Sequence, residues 1–318
     1  MIEQLLEPFR FEFFVNGLVV ATVAGGLCGL IGVYVVLRGM SYIGHGLSHA
    51  IFGGFAASTI LQLNFFLGAG AWGLASALMI NRVARRRIIG ADAAIGVITT
   101  ASFALGLALL ALFGSTGRDF DAALFGSVLG VDQIDVAAVV AVALLAVAFV
   151  FFAYRRLLFA TFDPEVAGVS GVQTARVDAL LMLVLAASVL VTMRVLGVTL
   201  IAATLVIPAT VARMLTDSFH RMLALSTLIG TLSGCVGMVA SYHLDIQSGP
   251  AIVLTSTLAF GMAFIATSLR TRARLARVDV VTAATAHAAA LAPSPSAAPL
   301  LSLPEAAVEV RSPPQRSR

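Results

Sequence analysis

The sequence predicts an all-α, polytopic membrane protein with eight to nine transmembrane helices, and three observations carry that expectation. Of 318 residues, 59% are hydrophobic and only 11% are charged, whereas an ordinary soluble domain carries roughly 25% charged residues. The mean hydropathy is +1.00. The apolar residues gather in runs of about twenty, long enough for a helix to cross a hydrocarbon core of roughly 30 Å. A water-soluble globule is excluded.

The runs fall at Phe13–Leu37, Ile43–Leu63, Phe65–Ile80, Asp92–Phe113, Ile134–Tyr154, Val177–Met193, Val198–Met214, Met222–Ser241 and Gly249–Ser268. The third is short and follows the second almost without a loop. It reads either as a ninth helix or as a broken, re-entrant piece beside eight full crossings. Three segments follow: an N-terminal stretch 1–12, a transmembrane domain 13–268, and a cytoplasmic tail 269–318. In the tail, Ala292–Arg318 holds six prolines with no apolar period and is expected to be disordered. Glu3, Glu7, Arg10 and Glu12 do not form the basic start of a secretory signal, so the first span is expected to stay in the mature chain.

All basic residues are Arg and there is no Lys, so a Walker A phosphate loop, GxxxxGK[ST], is impossible. The pI of about 9.7 accompanies a net charge of only +4. That charge sits in short clusters between apolar runs, which suits membrane orientation and gives no reason to invoke nucleic acid. With nine spans, Arg38, the cluster Arg82 to Arg87, Arg155, Arg156, Arg176, Arg213, Arg221 and the Arg270 to Arg277 group share one side. Asp119, Asp121, Asp132 and Asp245 lie on the other, with Arg118 the main exception. The N-terminus is therefore expected outside and the C-terminus in the cytoplasm. Cys28 and Cys235 sit among small apolar residues and read as packing residues. Gly25 and Gly29, and again Gly230 and Gly234, are spaced to let helix backbones approach.

The sharpest chemical feature is SYIGHGLSHAIFGG, Ser41 to Gly54, where His45 and His49 stand four apart. One helical turn puts them on one face. Ionisable groups inside a span are costly and mark a cavity or pathway, and two neutral imidazoles can hold a borderline-soft divalent ion if other helices complete the shell. A zinc protease would need HExxH; Gly46 stands where its Glu would, so that enzyme is set aside. Further ligands could come from Asp119, Asp121, or His243 and Asp245 in SYHLD. Asp178 and Arg194, at opposite ends of the sixth run, are too far apart to pair and are expected to snorkel to the interfaces. Pro208 could mark a kink in the seventh.

Between the fifth and sixth runs comes LFATFDPEVAGVSGVQ. Asp163 suits an N-cap, Pro164 the first helical position, Glu165 the positive end of the dipole, and Gly171 the stop; Ala167 lies inside. A short helix bounded at both ends can serve as a rigid knob for a partner's groove or as a plain connector.

Taken in series, GVYVVLRGMSYIGHGLSHAIFGG, DAAIGV, LFGSVLG, FDPEVAGVSGV, LGVTLIAATLVIPATVAR and SYHLDIQSGPAIV resemble the membrane (permease) subunits of ATP-binding cassette (ABC) importers for zinc, manganese and iron, over about Phe14 to Ile265. The resemblance implies a type II ABC importer-like permease and makes Asp163 to Val172 the coupling helix to an ATPase. It implies no enzyme activity and no permanently bound cofactor on this chain; the metal ion is cargo. The family's GDxxxH motif carries over to His45 and His49 as metal candidates, with His45 in place of the usual Asp. The change removes a hard oxygen ligand and favours zinc over manganese or iron. Implied partners are a separate ABC ATPase, an extracytoplasmic metal-binding protein, a second permease chain and membrane lipid. The competing readings are a permease for metal chelates of siderophore or cobalamin type, and a stand-alone metal carrier or channel.

Overall fold

The computed structural model describes residues 7–85, 90–113, 124–127 and 130–291. After a 3-10 turn at Glu7–Arg10, ten α-helices follow among the described residues: α1 (Glu12–Leu37), α2 (Ile43–Ile60), α3 (Phe65–Arg85), α4 (Ala91–Phe113), α5 (Gln133–Phe162), α6 (Pro164–Val169), α7 (Thr174–Leu196), α8 (Ile201–Leu215), α9 (Phe219–Leu244) and α10 (Ser248–Leu291). Each of the nine apolar runs lies largely within one helix. The expected number of crossings does not follow from that agreement. Six helices are long and apolar enough to span a membrane: α1, α4, α5, α7, α9 and the Ser248–Arg272 part of α10. In α2 the two histidines lower the hydropathy, in α3 Asn81, Arg82 and Arg85 do so, and α8 has only 15 residues.

The chain separates into two units, Met1–Ser268 and Leu269–Arg318. Residues 269–291, expected as the start of a disordered tail, are helical. That stretch is rich in Ala and Arg and contains neither Gly nor Pro, a composition of strong helix formers. The proline-rich Ala292–Arg318 lies outside the described residues, as do Asp119 and Asp121.

Within the first unit, α1 and α7 form the interior. About 72% of the apolar window of α1 and 67% of that of α7 is buried, against 17% for α5. α1 lies along α9 because both carry small residues where they cross. A Cβ on Gly25 would run into the carbonyl of Gly230, and one on Gly234 into that of Ala21. The buried Ser226 hydroxyl donates to the Gly29 carbonyl at 2.6 Å, so backbone contact and a hydrogen bond replace the missing hydrophobic drive between helices in lipid. Cys28 is buried and Cys235 half-buried, both as free thiols. Pro208 is buried within α8.

Charges at the helix ends are paired over long sequence distances. The Asp135 carboxylate, almost fully buried at the start of α5, accepts from Arg194 at the end of α7, and that guanidinium also lies over the Phe65 ring. Asp178 accepts from both Arg38 and Arg85. Asp178 and Arg194, too far apart to pair with each other, each meet an opposite charge from another helix.

Candidate metal pathway and docking helix

α2 places both histidines on one face. The His45 and His49 ring centroids are 4.2 Å apart, and both residues are half-buried in a helix whose neighbouring positions are mostly buried. His49 Nδ1 lies 2.8 Å from the His45 carbonyl oxygen. A carbonyl can only accept, so Nδ1 carries the proton and the Nε2 lone pair of His49 is left free. Tying one ring nitrogen to a backbone carbonyl is how a ligating imidazole is oriented. Phe103 of α4 packs 4.5 Å from the His49 ring and Tyr42 5.5 Å from the His45 ring, giving the pair an aromatic wall.

Ser48, which sequence reasoning passed over, fixes the helix. Its buried Oγ lies 2.8 Å from the carbonyl oxygens of both His45 and Val198. One hydroxyl proton serves one of them at a time, so the contact to Val198 ties α2 to the turn between α7 and α8. Just before the same turn, with Gly197 at φ +76°, the Val195 carbonyl accepts from the Ser248 hydroxyl, and within it the Thr199 hydroxyl donates to the Leu124 carbonyl. On the opposite flank, Trp72 Nε1 donates to Ser102 Oγ, which donates in turn to the Ala50 carbonyl. α2 is held between α3, α4 and α8 by groups far away in the chain.

His243 stands apart. It is exposed near the end of α9, with Nδ1 2.9 Å from the Val239 carbonyl. Among the described residues no group of three or more His, Cys, Asp or Glu side chains converges to hold an ion, and no third such side chain joins His45 and His49. Asp245, at the left-handed stop of α9 (φ +52°), borders an open pocket of about 610 Å³ with Ser127, Tyr242 and Gln247.

α6 is built as its local sequence dictates. Asp163 Oδ1 accepts from the Val166 N–H at 2.9 Å, Pro164 opens the helix, Glu165 lies in the first turn and Ala167 is buried. Gly171 takes φ +80°, and the Val172 N–H closes onto the Ala167 carbonyl at 2.9 Å, a Schellman-type end. Asp163 also receives the last turn of α5, its N–H bonding to the Phe159 carbonyl. α5 and α6 therefore share one pivot residue. Val166 and Val169 are exposed, the latter 92%, and Phe162 beside them is exposed too. These apolar tips were not singled out from the sequence, though an apolar residue beside a capped, otherwise small-residue helix would have been the signal.

A family profile described as "ABC 3 transport family" matches residues 10–267. The "Manganese transport system membrane protein MntC" of Listeria monocytogenes is 34% identical over 256 residues, covering 80% of this chain and 91% of the relative. The "Probable iron transport system membrane protein" of Haemophilus influenzae is 30% identical over 272 residues, covering 86% of this chain and all of the relative. Among solved structures, "PsaBC from Streptococcus pneumoniae in complex with Fab" is similar with a TM-score of 0.75 at 32% identity, over 83% of this chain and 95% of that one.

Proposed function

The chain belongs to the ABC 3 transport family as a multi-pass permease of the cytoplasmic membrane, a transport subunit and not an enzyme, and from that premise we propose that it passes a free divalent transition metal ion, manganese above zinc or iron, along the His45 and His49 face of α2. The observation that carries the reading is the pair itself: two rings one turn apart, with His49 turned by the His45 carbonyl so that its free nitrogen is presented for coordination. Zinc, expected from His45 standing where the family has an acid, finds no support in the relatives reported, whose printed names give manganese and iron.

The chemistry accommodates manganese without demanding that the pair prefer it. Any nitrogen and oxygen site binds Zn²⁺ more tightly than Mn²⁺, so selectivity rests on geometry, the remaining ligands and which ion is delivered. An extracytoplasmic metal-binding protein makes that choice upstream, and His45 and His49 act as a waystation. Ligands from other helices or from a second permease chain complete the shell. The eight or nine crossings expected from the sequence and a type II importer arrangement belong to this proposal, as does a role for His243 near the outer mouth.

A chain with no Lys has no Walker loop and draws its energy from a separate ATPase. α6 supplies the contact: it is capped at both ends, shows Val166 and Val169 to the outside, and pivots with α5 at Asp163. Closure of two ATPase subunits would move α6, and α5 and α7 with it, switching the pathway between outward and inward access.

The test is uptake and metal-stimulated ATP hydrolysis by the reconstituted complex across Mn²⁺, Zn²⁺ and Fe²⁺. His49→Ala should cut free-ion uptake at least about 10-fold, a loss of the size seen when metal-site groups are removed. His45→Asp should shift preference further toward manganese. Free-ion uptake that His49→Ala leaves untouched refutes the pathway, a chelate that alone stimulates ATP hydrolysis favours the chelate permease, and flux through this chain without an ATPase favours a carrier.

A further inference from the structure

Beneath the histidine pair, at the Arg-rich ends of α1 and α3, lies a site that the metal pathway does not use. α1 stops at Arg38 because Gly39 turns left-handed (φ +67°) and the Met40 N–H closes onto the Val35 carbonyl at 3.0 Å. That stop fixes the Arg38 side chain, nine-tenths buried, beside α5 and α7. Nη1 donates to Asp178 at 2.6 Å and Nε donates to Thr161 Oγ1 at 3.2 Å, while Nη2 is buried with no partner among the described residues. Arg85 takes the other oxygen of Asp178. A single carboxylate thus serves two guanidinium groups, and Arg82, one turn earlier on α3 and exposed, adds a third cation.

Two hollows meet here. One of about 180 Å³ has Arg38, Asn81, Arg85 and Asp178 on its polar side and Ile43 and Ile80 on its apolar side. The other, open and about 390 Å³, shares Asn81 and Arg85 with it and adds Arg82. Three Arg and one Asp leave an excess of two positive charges around them. A metal cation is repelled by such a place. An excess of guanidinium charge that one carboxylate does not balance is met best by a planar or tetrahedral oxyanion, which an open guanidinium fork such as that of Arg82 or Arg85 meets with two parallel hydrogen bonds.

We propose that Arg38, Arg82 and Arg85, with Asn81, form a binding site for a phosphate group, carried by an anionic phospholipid or free in solution. The apolar wall of Ile43 and Ile80 beside the basic rim matches a lipid, whose headgroup and chain present the same two chemistries side by side. Basic pockets between helices on the cytoplasmic side take anionic headgroups in this way. Ile43 lies two residues before His45, so an occupant would brace the start of the metal-bearing helix. The site does not depend on which metal is carried.

The experiment uses the intact permease–ATPase complex in neutral detergent, with native mass spectrometry and thermal melting as readouts. The probes are phosphatidylglycerol, phosphatidylcholine and inorganic phosphate. Phosphatidylglycerol should be retained at least about 10-fold more strongly than phosphatidylcholine, as two excess charges imply, and should raise the melting temperature. Arg82→Gln, which breaks no ion pair among the described residues, should lower that preference about fivefold, the worth of one surface charge. Arg213→Gln, an exposed Arg on the same expected side, should leave it intact. Competition by millimolar inorganic phosphate assigns the site to free phosphate as well; its absence assigns it to lipid alone. Equal retention of both lipids without any effect of phosphate overturns the proposal, and so does an equal loss in Arg213→Gln, which would reduce the effect to general surface attraction.

Discussion

α2 and α6 carry the two halves of the proposed function, and they are held in opposite ways. α6 is six residues long, exposed on almost every side, and fixed by its own ends: Asp163 in front, Gly171 behind. α2 is buried, and what fixes it comes from afar: the Val198 carbonyl on Ser48, Ser102 on the Ala50 carbonyl, Phe103 against His49. A docking element must keep its shape while its surroundings move, so local caps suit it. A metal waystation, the role proposed for α2, would have to change its access as the bundle rearranges, and anchoring by other helices would couple it to them.

The largest effect separates the two by size alone. A Cβ on Gly53 of α2 would strike the backbone carbonyl of Ser102, whereas one on Gly168 of α6 meets nothing within 4 Å. Gly53→Leu should cost more than about 3 kcal/mol, since backbone cannot swing aside as a side chain can, and folded yield should collapse. Gly168→Leu should leave the stability of the chain within about 0.5 kcal/mol of the parent, and by filling the apolar tip should alter only ATPase affinity. Equal tolerance at both positions breaks the contrast.

Ser48→Ala comes next. The substitution leaves the buried Val198 carbonyl without its donor, at about 1–3 kcal/mol, and frees α2 from the α7–α8 turn. Metal-stimulated ATP hydrolysis should fall while the basal rate is kept. Smaller again is Asp163→Ala, about 1 kcal/mol for a lost cap. It should loosen α6 and lower ATP-driven uptake, and metal binding measured without nucleotide should stay as it was. If Asp163→Ala weakens metal binding as much as Ser48→Ala does, the division between far-held and self-held elements is wrong.

What could be read from the sequence follows the same division. The helix at Asp163 to Gly171 was legible because cap, first-position proline, acidic turn and stop all act within nine residues. The crossing of α1 and α9 was legible in part: Gly25 and Gly29, and Gly230 and Gly234, announce close approach, though not to one another. The Arg194–Asp135 pair spans 59 residues and the Arg38–Asp178 pair 140, and no periodicity within either helix signals which acid meets which base. Ser48 reads as an ordinary small residue until the turn it touches is in place. The pair His45 and His49 was legible as geometry because one turn of helix suffices to join them; partners for a metal shell were not, because any such group would come from outside α2.

The smallest effect concerns a cap whose working range is set by pH. Asp132 opens α5: its Oδ1 accepts from the Asp135 N–H at 2.9 Å, and Asp135 Oδ2 reaches back to the Asp132 N–H at 3.2 Å. The backbone N–H of Asp135 holds the Asp132 carboxyl below the usual carboxylate range; burial opposes it, and the Asp135 side chain, Arg194 and the Ile134 N–H give smaller help. A carboxyl whose folded pKa lies below the unfolded one contributes its stabilisation in full above the unfolded value, about 3.9. That contribution fades as pH falls through the folded value, so the start of α5 should stay closed at neutral pH and begin to fray only in acid. Amide hydrogen exchange at Ile134 and Asp135, followed from pH 6 to pH 3 and corrected for intrinsic rates, should show protection lost below about pH 4. Asp132→Asn keeps an acceptor at the cap but removes the titrating group, and its protection should no longer depend on acid through Asp132. Parent protection unchanged down to pH 3 would mean that the Arg194–Asp135 pair alone holds this end of α5, and the start of α5 would then be held from afar, as α2 is.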